Sequence, residues 1–454
     1  MQLRRTLLVV PLSVGLLSVG FGLHGLISDQ PLASGPDVLL VTICSLRADH
    51  VHAYGYPLDN TPAIDALAAA GTRYDNAYAA GTWTGSSHGP MLTGVLPGIH
   101  GVIDFGEHVS TILPTLPGVL GLYGYSTAAF QVGGGPATFG SGDGLDRGFG
   151  TFATAFQDDA AMAVAAGKWW KAARHPVFAL VHVRDAHEPY SRTANGLDPR
   201  IEAWRRASFQ PGPGGAEARD ALAAALPEDA ALSAQFSALY DEGVHSADSG
   251  LAAVLAAIAP DPAHTVVILA GDHGEDLGEG GHIGHMRYAD EAVVHVPLIV
   301  DYPPGLREPS SVSTEVSLVD LLPTVLALAS APLPALLDGR SLLGLGDALP
   351  WAPDTADSRV RPAFAQMTAS APGRVAPLQT VVLTRDWRLE DPLTVPHLYR
   401  RSGTGWEIVD EPAVQAALMR RAVDVSDVNA PATAPSLSEE TIRALQRDGY
   451  WVTP

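Results

Sequence analysis

The sequence predicts an α/β fold: a mostly parallel central sheet covered by helices on both faces, with a small C-terminal α+β subdomain. Three observations carry that expectation. Apolar runs of strand length are continuous rather than alternating, as in strands buried on both faces. Helical patterns fall between the runs. Polar clusters follow directly upon them, where ligands collect in sheets of this class. At 454 residues the chain exceeds one ordinary core, which gives predicted divisions of 1–36 for a leader and linker, 37–360 for the main domain and 361–454 for the C-terminal subdomain.

In chain order, Arg4 and Arg5 precede an apolar stretch from Leu7 to Ile27. At about 20 residues it reads equally as an export signal and as a retained anchor, so the expected location is extracytoplasmic: periplasmic or secreted in the first case, attached to the membrane through this segment in the second. After a polar linker from Ser28 to Pro36, Asp37 to Ile43 reads as a buried parallel strand, and Thr61-Pro62 opens a helical pattern. Further strands are expected at Thr127 to Val132, Val177 to Val183, Thr265 to Ala270 and Val296 to Val300, with a helix from Ala230 to Ile258. From about Arg361 short extended runs take over: Leu378 to Leu383, Trp387 to Leu389, His397 to Arg401 and Trp406 to Val409. Val428 to Pro435 reads as a linker, and Ser438 and Gly449 as the start and stop of a last helix.

Composition narrows the function. Hydrophobic residues at 46% and charged residues at 17% exclude a disordered chain. Forty-nine acidic against 28 basic residues give a formal charge of -21, which repels nucleic acid. An acidic protein that handles an anionic ester needs local positive charge, from a divalent cation or from converging His and Arg side chains. The single cysteine, Cys44, excludes an intramolecular disulfide.

The polar clusters are Cys44 to His50, Arg184 to Tyr190 and Gly271 to Glu275. Between the first two, Thr84 stands ahead of a stretch able to begin a helix, whose N-terminus offers N–H groups to an anionic ester. Taken alone, Thr84 reads as a helix cap, because a Thr hydroxyl is a poor nucleophile unless a base or metal eases its deprotonation. Asp272-His273 reads either as a pair of metal ligands or as a hydrogen-bonded loop pair; His282 and His285, in a Gly-rich loop, weigh toward a site. His182, on a strand, reads as a satisfied core histidine. His187 reads equally as a proton donor or anion contact and as part of a surface turn. The Gly-rich Val132 to Pro136 opens no helix and lacks a following Lys, against a phosphate-cradling loop.

Together these segments resemble the sulfatase-like family of the alkaline phosphatase superfamily, in order along almost the whole chain after the leader. The resemblance rests on Cys44 to His50, Ala53 to Tyr56, and Thr84, Ser87 and His88 before Leu92-Thr-Gly94. It continues through Gly144 to Phe149, His182-x-x-Asp185-x-His187-x-Pro189-Tyr190, Asp272 to Glu275 with Gly284-His285, Val316 to Thr324 and Leu337 to Ser341. It implies an alkaline phosphatase-like fold and one divalent metal ion (Ca, Mg, Mn or Zn), with the nucleophile set on the metal beside acidic and Asp-His ligands. That carries over to Thr84 as nucleophile and ligand and to Asp272 and His273 as ligands, while His187 and His285 match positions that contact the ester.

Three departures stand out. The Cys-x-Pro-Ser-Arg signature that yields formylglycine is absent, as is Gly-Lys-x-His, which argues against a conventional aryl or carbohydrate sulfatase. The family's Asp after the first strand is Cys44 here, a softer ligand that favours zinc. The expected function is therefore metal-dependent hydrolysis of sulfate or phosphate/phosphonate esters with a Thr nucleophile. The competing expectations are a catalytically weakened sulfatase-like binding protein and an envelope phospho-group transferase. No acidic partner adjoins Cys44 in sequence, which leans the expectation toward a weakened metal site.

Overall fold

The computed structural model describes residues 35–133, 138–140, 142–190, 196–209, 215–279, 281–286, 288–345, 362–368, 378–384, 386–390, 396–402 and 405–426. The leader, the 428–435 linker and the helix expected between Ser438 and Gly449 lie outside the described residues, as does most of the Val132 to Pro136 loop.

The main domain runs β1 (Asp37–Ile43), α1 (Pro62–Ala70), β2 (Thr72–Tyr74), β3 (Ala77–Tyr78), α2 (Thr84–Thr93), α3 (Pro97–His100), α4 (Leu116–Leu122), β4 (Ser126–Val132), β5 (Thr151–Phe156), α5 (Asp159–Ala172) and β6 (Val177–Val183). It continues with α6 (Pro199–Phe209), α7 (Gly215–Ala225), α8 (Ala230–Ile258), β7 (Thr265–Gly271), β8 (Asp276–Leu277), β9 (Ile283–Gly284), α9 (Glu291–Val294), β10 (Leu298–Asp301), β11 (Ser310–Val312), β12 (Val316–Ser317) and α10 (Leu321–Leu328). An eight-stranded sheet has the order β11-β2-β10-β7-β1-β6-β4-β5. All of its pairings are parallel except those of β10, which runs antiparallel to both β7 and β2.

Strand period explains why this sheet carries two cores. Alternate residues of β1 point to opposite faces: Leu39, Val41 and Ile43 join a cluster with side chains of α5 and α8, whereas Val38 and Leu40 join one with side chains of α2 and α10. Each such side chain taken fully out of water contributes about 1.5–3 kcal/mol before entropy is counted. Because β1, β6 and β7 are parallel and adjacent, their carboxyl ends bring Cys44, Arg184 and Asp272 to one edge.

The C-terminal region forms a five-stranded antiparallel sheet in sequential order: β13 (Ala363–Thr368), β14 (Leu378–Leu383), β15 (Trp387–Glu390), β16 (His397–Ser402) and β17 (Gly405–Ile408), followed by α11 (Pro412–Ser426). It packs on the main domain where Ala80 and Leu96 meet Phe364, Val382 and Leu418, and the Gln366 N–H donates to Ala80 O at 2.9 Å. Among the described residues no helix is long and apolar enough to cross a membrane. The sequence holds two lysines, Lys168 and Lys171, both exposed on α5 near its C-terminal end.

Candidate metal and ester site

Ser45, directly after β1, has a φ of 57°, a left-handed conformation uncommon for a residue with a Cβ. It is held from two sides: Ser45 N–H donates to Asp272 Oδ1 at 3.1 Å, and Tyr240 of α8 donates its hydroxyl to Ser45 O at 2.6 Å. Tyr190 and Met286, next to the loops of His187 and His285, also have positive φ, at 64° and 87°. Among the described residues, three of the five such non-glycine positions thus border this one site, as strain at functional sites does. Gly271 and Gly274 flank Asp272-His273 because a Cβ at either would collide with the backbone of Leu46 or Ala292.

At the centre four side chains converge. Cys44 Sγ lies 3.5 Å from Thr84 Oγ1 and 3.8 Å from His273 Nε2, and Asp272 Oδ1 lies 3.6 Å from that same nitrogen. Thr84 is the first residue of α2, every residue of which is buried. His273 Nδ1 donates to Gly274 O at 2.8 Å, which turns the Nε2 lone pair toward Cys44. Asp272 Oδ1 is positioned by N–H groups of Ser45 and His273. Cys44, Asp272 and His273 are fully buried and form one group able to hold a metal. Burial, then the charge of Asp272, pushes the Cys44 thiol well above its ordinary range, so without a cation it stays protonated.

Three donor-to-donor distances can be set against those of a tetrahedral ion. Metal–donor distances typical of zinc, about 2.3 Å to sulfur and 2.0–2.2 Å to nitrogen or oxygen, give donor-to-donor edges of about 3.4–3.6 Å. The observed 3.5, 3.8 and 3.6 Å edges are near that range.

The other face of Asp272 was missed by sequence reasoning. His88 and His182, both fully buried, form a second potential metal group with Asp272. The His88 ring donates from Nδ1 to Thr84 O at 2.8 Å; its Nε2 accepts from Thr42 Oγ1 at 3.1 Å, and Thr42 accepts from His182 Nδ1 at 2.8 Å. This proton assignment leaves His182 Nε2 and Asp272 Oδ2, 4.0 Å apart, without hydrogen-bond partners among the described residues. Burial lowers the basicity of both rings, which keeps them neutral. A signal was available: Thr42 and His182 are the lone polar residues inside apolar strands, and they pair in register.

At the rim, His187 and His285 face each other with ring centres 5.1 Å apart, and His285 stands 4.3 Å from His273. His187 Nδ1 donates to Glu188 O at 2.7 Å, and His285 Nδ1 meets Glu275 Oε1 at 2.8 Å. Burial raises Glu275 to about 7. His282 instead stacks on Tyr288 at 3.5 Å, away from this group. Thr84, Cys44, Asp272, His273, His187 and His285 are thereby gathered at one edge of the sheet.

A family model described as Sulfatase matches residues 36–331. Arylsulfatase K of Canis lupus familiaris is 43% identical over 88 residues, 19% of this chain and 16% of that protein. Arylsulfatase K of Homo sapiens is 46% identical over 81 residues, 18% of this chain and 15% of that protein. An uncharacterized sulfatase of Escherichia coli is 29% identical over 186 residues, 38% of this chain and 35% of that protein. The chain therefore spans about a sixth of arylsulfatase K and about a third of the bacterial relative. The phosphonate monoester hydrolase of Agrobacterium radiobacter superposes with a TM-score of 0.65 at 18% identity, over 86% of this chain and 94% of that one. A structure in complex with D-glucosamine-2-N,6-O-disulfate gives 0.61 at 17% identity, over 86% and 96%. At these identities the superpositions speak for the fold.

Proposed function

The chain belongs to the sulfatase family of the alkaline phosphatase superfamily, and on that premise we propose that it hydrolyses sulfate or phosphate/phosphonate esters with Thr84 as the nucleophile. One observation carries the reading: Thr84 Oγ1 stands at the N-terminus of α2, 3.5 Å from the Sγ of Cys44, which forms one potential metal group with Asp272 and His273.

Cys44, Asp272 and His273 would hold the divalent ion, with Thr84 at the fourth corner. Bound there, the ion supplies Lewis-acid stabilisation of charge on the ester oxygens and lowers the cost of deprotonating a hydroxyl beside it. The rest is the chain's own work. Thr84 Oγ1 attacks sulfur or phosphorus along a line that the free N–H groups of α2 help to orient. His187 and His285, kept neutral by burial, contact the ester group, and one of them takes the proton that Thr84 gives up and hands it to the leaving oxygen. Water then releases the group from Thr84. The thiolate in the donor set favours zinc over the harder cations. Asp272 supplies, across space, the acidic partner that the residues adjoining Cys44 lack.

Burial of Cys44, whose thiol is neutral without a cation, favours a second reading: a metal-poor binding protein that keeps the fold. Envelope group transfer differs from hydrolysis only in the acceptor. Metal analysis of the purified protein, with sulfate, phosphate monoester, phosphodiester and phosphonate monoester substrates assayed in parallel, separates these readings. Stoichiometric zinc with turnover of one ester class is expected. Metal-free protein inactive on all four after zinc is added rules out the hydrolase reading.

A further inference from the structure

Arginine supplies 26 of the 28 basic residues, and the two lysines lie near the C-terminal end of α5, away from the carboxyl ends of the strands. Positive side-chain charge at the site therefore falls to arginine. Arg47 is committed: it pairs with Asp49 at 2.8 Å and with Glu279 at 2.7 Å. Arg219 is also committed, meeting both carboxylate oxygens of Glu188 at 2.6 and 2.8 Å.

Arg184 differs. It follows β6 directly, as Cys44 follows β1, and these strands pair Ile43 with Val183, so the two residues are neighbours across the sheet edge. Its carbonyl accepts from the His187 N–H at 2.9 Å, which closes the turn carrying His187. The Arg184 side chain is half-buried, with Nη1 beside Gly133, where even a Cβ would come within 3.5 Å. Its charge acts on Cys44, His182, His187 and His285, and on the buried carboxyl of Asp159. Among the described residues no carboxylate forms an ion pair with this guanidinium, which leaves its N–H fork available to an anion.

We propose that Arg184 binds the tetrahedral oxyanion of the substrate, gripping two of its oxygens from the β4–β6 side while Thr84 approaches from the side of α2. This rests on reading the pocket as an ester site, and it adds to that site a contact residue from the end of β6. The planar fork of a guanidinium suits a sulfuryl or phosphoryl group, whose paired oxygens it meets with parallel N–H bonds.

The test is calorimetric titration of inorganic phosphate and, separately, inorganic sulfate into wild type, Arg184→Gln, Arg184→Lys and Arg200→Gln, at fixed ionic strength. Arg200 is an outlying control already paired with Asp198 and Asp229. Expected is a loss of affinity of roughly ten-fold or more in Arg184→Gln, a smaller loss in Arg184→Lys and none in Arg200→Gln. The thermal midpoint should be unchanged in all variants. Equal affinity in wild type and Arg184→Gln overturns the proposal, as does an equal loss in Arg200→Gln, which would mark bulk charge. Failure of the hydrolase reading is distinguishable, since it would leave an Arg184-dependent anion affinity in a protein that cleaves no ester. Conversely, a wild type that cleaves an ester with no measurable affinity for either anion sinks the Arg184 assignment alone.

Discussion

On one side of Asp272 lie Cys44, Thr84 and His273, with Cys44 Sγ 3.5 Å from Thr84 Oγ1 and 3.8 Å from His273 Nε2. On the other side lie His88 and His182, locked through Thr42 and backed by the ring of Phe139, 4.3 Å from His88. Both sides are buried, and both draw on imidazoles. What separates them is where the protons go. His273 places its N–H on a carbonyl and keeps a lone pair facing Cys44, whereas His88 uses both nitrogens on neighbouring oxygens and His182 bonds Thr42 with its Nε2 left 4.0 Å from Asp272 Oδ2. The first side adds a thiol and a hydroxyl that a cation could use; the second ties α2 to β1 and β6 through Thr42.

The sharpest way to break this contrast is Asp272→Asn, which removes charge shared by both sides with little change in shape. Activity should fall by on the order of a thousand-fold and bound metal should be lost with it, measured by steady-state turnover and elemental analysis. Stoichiometric metal in the variant would mean that Asp272 is no ligand. Thr84→Ala should abolish turnover to a similar degree while metal content and the thermal midpoint hold, since only a small side chain is deleted. Full activity in the pure variant would remove Thr84 from the chemistry.

His182→Ala tests the other side. Loss of a fully buried ring that bonds Thr42 should cost about 2–4 kcal/mol in denaturant unfolding and leave metal content unchanged. A drop in metal with unchanged stability would reverse the roles assigned to the two sides. Cys44→Asp should weaken zinc binding and shift preference toward magnesium, calcium or manganese, read by competition titration; tighter binding of every cation would instead indicate a weakened wild-type site. The mildest test uses a carboxylate outside both groups. Burial, then the charge of Asp185, raises Asp159 from its ordinary 3.8 to about 7. Between those values the folded state binds the extra proton, so stability falls as pH rises through the window, by roughly 1 kcal/mol per pH unit. Asp159→Asn should flatten that slope relative to wild type, and parallel pH profiles would contradict it.

The sequence made the sheet legible because β1, β6 and β7 are uninterrupted apolar runs, and continuity signals burial on both faces. The short outer strands β2 and β11 gave no such signal at three residues each, and the antiparallel direction of β10 depends on partners that no local pattern encodes. Cys44, Thr84, Asp272 and His273 were named from strand-end loops and from the family resemblance. Residues that act by pairing across strands were harder. His182 looked like core because a strand position hides which atom faces it, and Arg184 was passed over because an unpaired guanidinium is visible only once every carboxylate nearby has been placed.

The lysine pair on α5 has a practical side. Helix α5 returns toward the start of β6, so its C-terminal end, where Lys168 and Lys171 are exposed, lies at the opposite end of the sheet from Thr84 and Cys44. Apart from the chain's own N-terminus, no other primary amine is encoded. Attachment to a bead or sensor chip through either lysine would therefore anchor the molecule by that end of the sheet and leave the pocket facing the solution.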